Sequence, residues 1–280
     1  MILFFDKNIY NLLGYRLFFI KYEILKVKYI LTSKHLMKKK ILIFIITYQA
    51  SYLLKKVFDL IELKTLKNYK IKILISDDNS KGYNSKDDTL EIAKKIYKKN
   101  KSLVILKNNK KRLNYGGNIK SCINYAIKNN FDYAIMVHGD GQFHPKYILP
   151  IIKKAEQYDS AAVCGSRMIR KRNALEGKMP LYKFIGNIVL TKWFNFVFST
   201  NFSDCHTGLW IYNLKYIKKN IISSLTDSLN FDNQMRINLV KKKLEIKEIP
   251  ILTIYGNERS SVHLSYALKF FFETILKRIT

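Results

Sequence analysis

Five short apolar runs alternate with helical patterns along residues 41–164, and this alternation constrains the fold more than any other feature of the sequence. The predicted strands are Ile41–Thr47, Ile71–Ser76, Leu103–Leu106, Tyr133–Val137 and Ala161–Cys164. Helical patterns lie between them, near residues 51–66, 87–99, 117–129 and 146–157. The first four runs are continuously apolar, which is typical of strands buried on both faces. The sequence therefore predicts an α/β fold with a mostly parallel central sheet flanked by helices.

Polar clusters follow three of these strands at the point where each strand ends. They are Thr47-Tyr48-Gln49, Asp77-Asp78-Asn79-Ser80 and His138-Gly139-Asp140-Gly141-Gln142. In open α/β sheets, ligands bind in the crevice outside the carboxyl ends of the strands. Because three clusters meet there, we predict one binding site rather than three unrelated turns.

Carboxylates at such strand ends can accept hydrogen bonds from a nucleobase or ribose, or can hold a divalent cation on phosphates. Asp77 and Asp78 suit the first role, although the sequence DDNS is also typical of a turn that caps the next element. Asp140 suits the second role, because Mg²⁺ and Mn²⁺ prefer oxygen ligands. Gln142 can add a carbonyl oxygen, and the flanking glycines allow the backbone to approach a diphosphate closely.

Beyond residue 165 the pattern changes, and we expect an elaborated second half of the same domain. A basic loop that contains Arg167 and Arg170 leads into an aromatic-rich helical stretch near 182–199. The segment SDCHTGLWIYN follows, and then a helix near 232–243, a strand over Glu245–Ile254 and an amphipathic stretch over Tyr266–Ile279.

Seven motifs in this order resemble family 2 glycosyltransferases of the GT-A fold: ITYQA, ISDDNS, NYGGN, HGDGQFHP, CGSR, MPLYKFIGN and DCHTGL. The resemblance spans about residues 38–260 and is strongest to the polyprenyl-phosphate sugar synthases, the branch similar to dolichyl-phosphate mannose synthase. It implies a Rossmann-like nucleotide-diphospho-sugar transferase fold. It also implies that a sugar moves from a GDP- or UDP-linked donor, with inversion at the anomeric carbon, to a polyprenyl phosphate or a cell-surface glycan.

The resemblance also implies which residues form the site. It assigns the nucleotide sugar to Thr47, Tyr48, Gln49, Asp77, Asp78, Gly116, Gly117, Asn118, His138 and Gly139. It assigns Mg²⁺ or Mn²⁺ to Asp140, Gln142 and His138, and the acceptor to Arg167, Arg170, His206, Thr207 and Gly208. The catalytic candidates are Asp140, Asp204 and Asp232.

The need for a general base depends on the acceptor. A lipid phosphate is already an anion and needs none, whereas a sugar hydroxyl needs a carboxylate within hydrogen-bond reach. Asp204 is favoured over Asp232 by its motif, and its alternative role is that of a capping or loop carboxylate. His206 is either a packed loop residue or a catalytic one, with packing favoured.

Several charged positions of the family pattern differ in this chain. Ala50 replaces a glutamate, His138 the first aspartate of the metal motif, Trp210 an arginine, Gln234 a glutamate and Ile254 a basic residue. Arg259, Arg167 or Arg170 could supply the missing positive charge. These departures leave open an alternative, a catalytically impaired protein that still binds a sugar nucleotide.

The net charge of +29 does not by itself indicate a nucleic-acid partner. Of the 50 basic residues, 42 are Lys and 8 are Arg, whereas nucleic-acid readers rely on the planar, bidentate Arg side chain. We therefore expect no nucleic acid, and keep attraction to an anionic membrane as the alternative to a solvated surface. The three cysteines are too few and too scattered for a disulfide framework or a zinc site.

Three segments are expected along the chain. Residues 1–36 form an N-terminal extension of doubtful role, residues 37–260 a catalytic domain and residues 261–280 a C-terminal amphipathic helix. In that helix Leu268, Phe270, Phe271 and Ile275 lie on or near one face, which fits either an interfacial helix or a helix that caps the core. No run reaches the ~18 apolar residues of a membrane span. We expect a bacterial cytoplasmic enzyme in peripheral contact with the inner face of the cytoplasmic membrane.

Overall fold

The computed structural model describes residues 38–255 and 264–279. The predictions made for residues 1–36 and for Arg259 lie outside these ranges. None of the helices within them combines the length and the apolar character that a bilayer crossing needs.

A seven-stranded sheet forms the centre of the described chain. Its strands are β1 (Lys40–Thr47), β2 (Lys70–Asp77), β3 (Val104–Asn108), β4 (Tyr133–His138), β5 (Ala162–Ser166), β6 (Trp210–Asn213) and β7 (Ile246–Pro250). They lie in the order β3-β2-β1-β4-β6-β5-β7. Strand β6 runs antiparallel to β4 and β5, and the other neighbours are parallel. The predicted mostly parallel sheet is confirmed.

Helices connect these strands and cover both faces of the sheet. They are α1 (Ser51–Asp59), α2 (Ser80–Tyr83), α3 (Thr89–Lys99), α4 (Asn114–Lys128), α5 (Ile148–Tyr158), α6 (Arg172–Glu176), α7 (Leu181–Phe198), α8 (Lys219–Ser223), α9 (Phe231–Lys241) and α10 (Leu264–Ile279). The helix predicted near 51–66 is shorter, because α1 ends at Asp59 and only a 3-10 turn, Leu63–Leu66, follows before β2.

The apolar run of β1 is continuous because both of its faces are buried. Ile41, Ile43 and Ile45 pack into the hydrophobic cluster on one side of the sheet. Leu42 and Phe44 pack into a second cluster on the other side. Alternate side chains of a strand point to opposite faces, so burial on both sides selects apolar residues at every position.

Strand β6 is the strand that the sequence did not predict. It has only four residues, WIYN, and all four are buried. Trp210, at the position where the family pattern has arginine, is fully buried and donates from Nε1 to the carbonyl oxygen of Thr207 at 2.9 Å. The departure from the motif is therefore a core residue of the sheet.

The four residues predicted on or near one face of α10 have different environments. Phe270 is fully buried and lies 6.2 Å, centroid to centroid, from the ring of Phe194. Phe271 stacks on Trp193 at 4.2 Å. Leu268, in contrast, is 56% exposed. One side of α10 therefore caps a small core cluster, while another side faces solvent. The helix thus caps the core, as one of the two predicted alternatives has it, and keeps an exposed side that the other alternative, an interfacial helix, requires.

Candidate functional site

A cleft of about 1710 Å³ opens beside the carboxyl ends of β1, β2 and β4. Strand register places these ends side by side, since Thr47 pairs with Asp77 and Ile46 pairs with His138. The sequence-predicted residues that line the cleft are Thr47, Tyr48, Asp78, Asn118, His138, Gly139, Asp140, Gln142, Arg167, His206, Thr207, Gly208 and Asp232. Those that do not line it are Gln49, Asp77, Gly116, Gly117, Arg170 and Asp204.

The two neighbouring aspartates at the end of β2, Asp77 and Asp78, have different roles. Asp77 is fully buried and accepts hydrogen bonds from the backbone N–H and the hydroxyl of Ser80, so it closes the turn into α2. Burial raises the pKa of Asp77 above its ordinary value. Asp78 borders the cleft, and its Oδ1 accepts from the Leu113 N–H at 2.8 Å and from Asn109 Nδ2 at 3.0 Å. The turn interpretation therefore applies to Asp77, whereas Asp78, although only 3% exposed, is the one of the two that borders the cleft.

The glycines of the NYGGN motif pack against protein rather than against the cleft. A Cβ atom at Gly116 would lie 2.4 Å from the carbonyl oxygen of Thr226. The N–H groups of Gly116 and Gly117 donate to the carbonyl oxygen of Asp227 at 2.8 and 3.3 Å. Their position does not support the assignment to nucleotide-sugar contact. Asn118 does reach the cleft, and its Oδ1 accepts from the Ser76 hydroxyl at 2.6 Å.

Two of the other strand-end residues differ in access to the cleft. Gln49 has a positive φ of 51° and its backbone N–H donates to Ser80 Oγ at 2.9 Å, so it shapes the turn after β1. Tyr48 borders the cleft, and the guanidinium carbon of Arg112 lies 4.1 Å from the centroid of its ring. The pair presents a cation on an aromatic face at the cleft wall. Arg112 was not identified from the sequence.

His138 lies beneath the cleft wall rather than on an open surface. Its ring is 5.1 Å, centroid to centroid, from Phe143 and 5.7 Å from Tyr115. A Cβ atom at Gly208 would lie 2.6 Å from His138 Nε2, so only glycine fits against the ring. Burial lowers the pKa of His138, although the nearby carboxylate of Asp140 opposes this shift. Burial thus favours the neutral imidazole over the imidazolium.

Asp140 is the exposed carboxylate of the motif after β4. Its Oδ1 accepts the backbone N–H of Gln142 at 2.9 Å across a turn in which Gly141 has a φ of +73°. Residues 38–255 and 264–279 contain no group of three His, Cys, Asp or Glu side chains placed to hold a metal. Mg²⁺ and similar ions, however, often bind through one or two carboxylates with phosphate and water completing the shell. Asp140 with Gln142 fits that kind of site.

Asp204 is enclosed in an ion pair with Arg167. Arg167 Nε donates to Oδ2 at 2.7 Å and Nη2 to Oδ1 at 2.9 Å, and Asn187 Nδ2 adds a bond of 2.8 Å. Burial alone would raise the pKa of Asp204, but the Arg167 guanidinium and these hydrogen bonds hold it well below its usual range. Asp204 is fully buried. Its position therefore does not support the preference for Asp204 as general base.

The same ion pair engages the guanidinium of Arg167. Its Nη1 donates to the hydroxyl of Tyr255 at 2.5 Å, and its Nη2 also donates to the carbonyl oxygen of His206. Arg170 is exposed and lies outside the cleft lining. Ile254 is 67% exposed and also outside it. Besides Arg167, the cations Lys178 and Lys183 border this part of the cleft, and the sequence did not single them out.

Asp232 is a carboxylate on this side of the cleft, which Asp227 also lines. It lies in the first turn of α9, and its Oδ2 accepts from the Tyr115 hydroxyl at 2.6 Å. Its Oδ1 is buried without a hydrogen-bond partner among the described residues. Burial raises the pKa of Asp232 to about 7. A carboxylate with such a pKa can take up or release a proton near neutral pH.

His206 and Thr207 lie in the loop before β6. The ring of His206 lies 4.7 Å, centroid to centroid, from Phe270, and burial lowers its pKa to about 4. A neutral, packed imidazole fits the sequence preference for a loop residue. Thr207 is buried, and the hydroxyl oxygen has no hydrogen-bond partner among the residues described.

Positive charge lies beside Trp210, although the motif arginine is absent. Arg236 of α9 is fully buried, and its guanidinium carbon is 4.7 Å from the Trp210 ring and 4.7 Å from the Phe202 ring. Its Nη2 donates to the carbonyl oxygen of Asp204 at 3.3 Å. The sequence did not single out Arg236. The feature that could have identified it is its position four residues after Asp232, one helical turn along α9.

Comparison with known proteins adds independent findings. A family model described as Glycosyl transferase family 2 matches residues 42–221. An uncharacterized protein from Methanocaldococcus jannaschii is 32% identical over 225 residues, which cover 77% of this chain and 86% of that protein. A UDP-N-acetylglucosamine–dolichyl-phosphate N-acetylglucosaminyltransferase from Methanococcus voltae is 31% identical over 148 residues, or 50% of this chain and 55% of that enzyme.

A similar solved structure comes from Mycobacterium tuberculosis. It is a glucosyl-3-phosphoglycerate synthase crystallised with Mn²⁺, UDP and glucosyl-3-phosphoglycerate, with a TM-score of 0.55 and 12% identity. The similarity covers 86% of this chain and 80% of that one. At this identity it concerns the fold, and it confirms the predicted GT-A fold.

Proposed function

The chain belongs to glycosyltransferase family 2, as predicted, and from this we propose that it transfers a sugar from a nucleoside diphosphate donor, with inversion, to a polyprenyl phosphate. The observation that carries the proposal is the meeting of Asp78, Asp140 and Asp232 around one cleft at the strand ends. UDP and GDP are the donor nucleotides we would test first. The relative from Methanococcus voltae, named for transfer to dolichyl phosphate, supports a lipid-phosphate acceptor.

We assign the donor nucleotide to the β1–β2 side of the cleft. Asp78 is the carboxylate there that a base or ribose can reach, and the Tyr48 ring with Arg112 offers a flat, cationic surface for the nucleotide. Asp140 and Gln142 would hold Mg²⁺ or Mn²⁺. The ion, when bound, would neutralise the charge that develops on the leaving diphosphate. The solved similar structure with Mn²⁺ and UDP supports testing Mn²⁺ first.

The acceptor phosphate is assigned to the part of the cleft that Lys178 and Lys183 border. A phosphate needs positive charge for orientation and no general base, and these ammonium groups can supply that charge. Arg167 supports the acceptor side indirectly, because its guanidinium fixes Asp204 and the His206 backbone.

A glycan hydroxyl is the second candidate acceptor, and Asp232 is the observation that favours it. Its free Oδ1 and its pKa of about 7 suit a general base, with Tyr115 as the residue that positions it. Because buried polar atoms are normally hydrogen-bonded, Oδ1 could accept a hydrogen bond from an acceptor hydroxyl in the cleft.

One experiment tests the proposal against both acceptors. The protein is incubated with Mn²⁺ and a panel of UDP- and GDP-sugars, first with polyprenyl phosphate and then with oligosaccharides, and release of nucleoside diphosphate and glycosylated product are measured. Product on the lipid phosphate supports the proposal, and product on oligosaccharide alone supports the hydroxyl mechanism. Donor binding with no product on any acceptor would favour an impaired sugar-nucleotide-binding protein, the alternative raised by Ala50, His138, Trp210 and Ile254.

A further inference from the structure

Helix α7 exposes an apolar stripe, which is unusual for a helix on the surface of a domain. Its outward positions Leu181, Ile185, Val189 and Phe196 are 66%, 52%, 58% and 79% exposed. Its buried positions are two polar residues, Asn187 and Thr191, and two aromatic ones, Phe194 and Phe198. Helices on the surface of a soluble domain normally turn their apolar stripe inward and their polar residues outward.

The polar residues on the inner side of α7 are explained by the ion pair beneath it. Asn187 Nδ2 donates to Asp204 Oδ1 at 2.8 Å, and Thr191 Oγ1 donates to Asn187 Oδ1 at 3.1 Å. No comparable contact within the described chain explains why the outer positions are apolar, since they remain exposed. An exposed apolar stripe of this kind indicates an interaction surface.

Helix α10 packs beside α7 and extends the stripe. Trp193 Nε1 of α7 donates to Thr274 Oγ1 of α10 at 2.8 Å. On its outward side α10 exposes Leu268 by 56%, Phe272 by 66% and Ile279 by 79%. We call the exposed apolar residues of both helices the docking face: Leu181, Ile185, Val189, Phe196, Leu268, Phe272 and Ile279.

The exposed charge beside the docking face is mainly positive. Lys192 lies within the α7 stripe, and Lys269 and Arg278 are exposed on α10. The acidic residue of the two helices as described is Glu273, and its Oε1 accepts from Gln234 Nε2 at 2.5 Å, so its charge points toward the protein. Apolar residues flanked by lysine and arginine are complementary to an anionic lipid surface.

The docking face adjoins the cleft, because α7 contributes to both. Tyr182, Lys183, Gly186 and Leu190 of α7 and Ala267 of α10 line the cleft. We propose that α7 and α10 lie in the interfacial zone of an anionic membrane, so that the cleft opens beside the lipid headgroups. The functional reason for this contact rests on the proposed lipid-phosphate acceptor. The evidence for it is the exposure and the charge of the residues on α7 and α10.

Vesicle flotation tests the docking face without any substrate. The full chain is mixed with phosphatidylcholine vesicles, or with vesicles that contain about one third phosphatidylglycerol, at low and high salt. We expect binding to the anionic vesicles that weakens with salt. We expect the double variant Ile185→Glu/Val189→Glu, and separately Phe272→Glu, to weaken binding by about tenfold or more. Tyr52→Glu, which changes a 92% exposed tyrosine on α1, is the matched control and should bind like the unchanged chain.

Two results would overturn the proposal. One is a chain that stays unbound with both vesicle types, and the other is equal binding by the folded variants, judged by circular dichroism. If sedimentation instead shows a dimer that Ile185→Glu/Val189→Glu converts to a monomer, the face joins two copies of the chain. Transfer to a water-soluble, short-chain prenyl phosphate separates this proposal from the proposed function. Vesicle binding without such transfer would contradict only the proposed function. Transfer without vesicle binding would contradict only the proposed membrane contact of the docking face.

Discussion

The hydroxyl of Tyr115 donates a 2.6 Å hydrogen bond to Asp232 Oδ2, and so a tyrosine of α4 fixes the carboxylate that α9 presents to the cleft. The same hydroxyl lies 3.4 Å from His138 Nε2. One phenol therefore connects His138, which was predicted with Asp140 as a metal ligand, to the candidate base Asp232. Its 117-residue separation from Asp232 in sequence hides this link from motif analysis.

The raised pKa of Asp232 predicts a pH-dependent effect of Asp232→Asn on stability. The folded pKa of about 7 lies above the ordinary value of an aspartate. As pH rises toward 7, the unfolded chain has already released the proton that the folded chain still holds, so the free energy of unfolding falls. Asparagine does not titrate. We expect the free energy of unfolding of the variant, relative to that of the unchanged protein, to rise by roughly 2 kcal/mol between about pH 5 and about pH 8. Urea unfolding at the two pH values measures it, and parallel pH curves would contradict a raised pKa.

The same substitution distinguishes the two acceptors. With polyprenyl phosphate, Asp232→Asn should change the rate by less than about threefold, because an anionic acceptor needs no base. With a glycan hydroxyl, the loss should reach about 10²–10⁴-fold, and the rise of rate with pH through about 7 should disappear. Initial rates across pH with both acceptors provide the measurement. Tyr115→Phe should shift the pH profile of the hydroxyl reaction only if Tyr115 positions Asp232.

Asp140→Ala should remove the response to metal. We expect Mn²⁺-stimulated release of nucleoside diphosphate to fall by about 10²-fold or more, because the exposed Asp140 carboxylate is the one that borders the predicted diphosphate position. Asp88→Ala, which changes an exposed aspartate outside the cleft, is the control. Unaltered stimulation by Mn²⁺ in the Asp140 variant would show that the metal, if used, is held elsewhere.

Asp204→Asn should lower the stability of the fold and not only the rate of the reaction. The substitution leaves the buried guanidinium of Arg167 without its carboxylate, and breaking one side of a buried pair costs about 3–5 kcal/mol. Asp59→Asn breaks the exposed pair with Lys55 and should cost less than about 1 kcal/mol. Urea unfolding compares the two. Similar small changes in both variants would mean that the Asp204 ion pair adds little net stability.

The pKa of Asp204 adds a pH dependence to this prediction. Because its folded pKa lies below the ordinary value, its stabilising contribution is present above that ordinary value and is lost as pH falls toward the folded one. The stability difference between the unchanged chain and Asp204→Asn should therefore shrink in acid. A difference that grows as pH falls would contradict the depressed pKa.

Arg112→Ala should weaken nucleotide binding by about tenfold, equivalent to about 1.4 kcal/mol. The reason is its position over the Tyr48 ring, where it can meet both the base and the phosphates. Lys111→Ala removes the neighbouring exposed charge and should have little effect. Calorimetric titration with UDP and GDP measures both. Equal losses in the two variants would indicate a general charge effect instead of a specific contact.

The strands of the sheet could be predicted because their sequence carries the signal locally. Ile41 to Ile46 alternate between the two buried faces, so every position is apolar. The four residues of β6 give too short a pattern, and their first residue stands where the family has a charge. The polar strand ends also predicted the cleft, since parallel register brings them together.

The separate roles of the site residues could not be predicted, because they depend on contacts between distant segments. Asp77 and Asp78 are adjacent, yet one closes a turn and the other faces the cleft. Asp204 is enclosed by Arg167, 37 residues away in sequence. Asp232 owes its raised pKa to burial at the cleft wall. Motifs identify which side chains are present, but tertiary packing decides which of them a ligand can reach.

The stacking of Arg236 on Trp210 bears on how family members with incomplete motifs are compared. Trp210 stands where the family pattern has an arginine, yet the guanidinium carbon of Arg236, in α9, lies 4.7 Å from its ring. A positive charge is thus present beside this position, although it comes from another part of the chain. A residue that is missing from a motif should therefore be judged together with the side chains that surround its position in three dimensions.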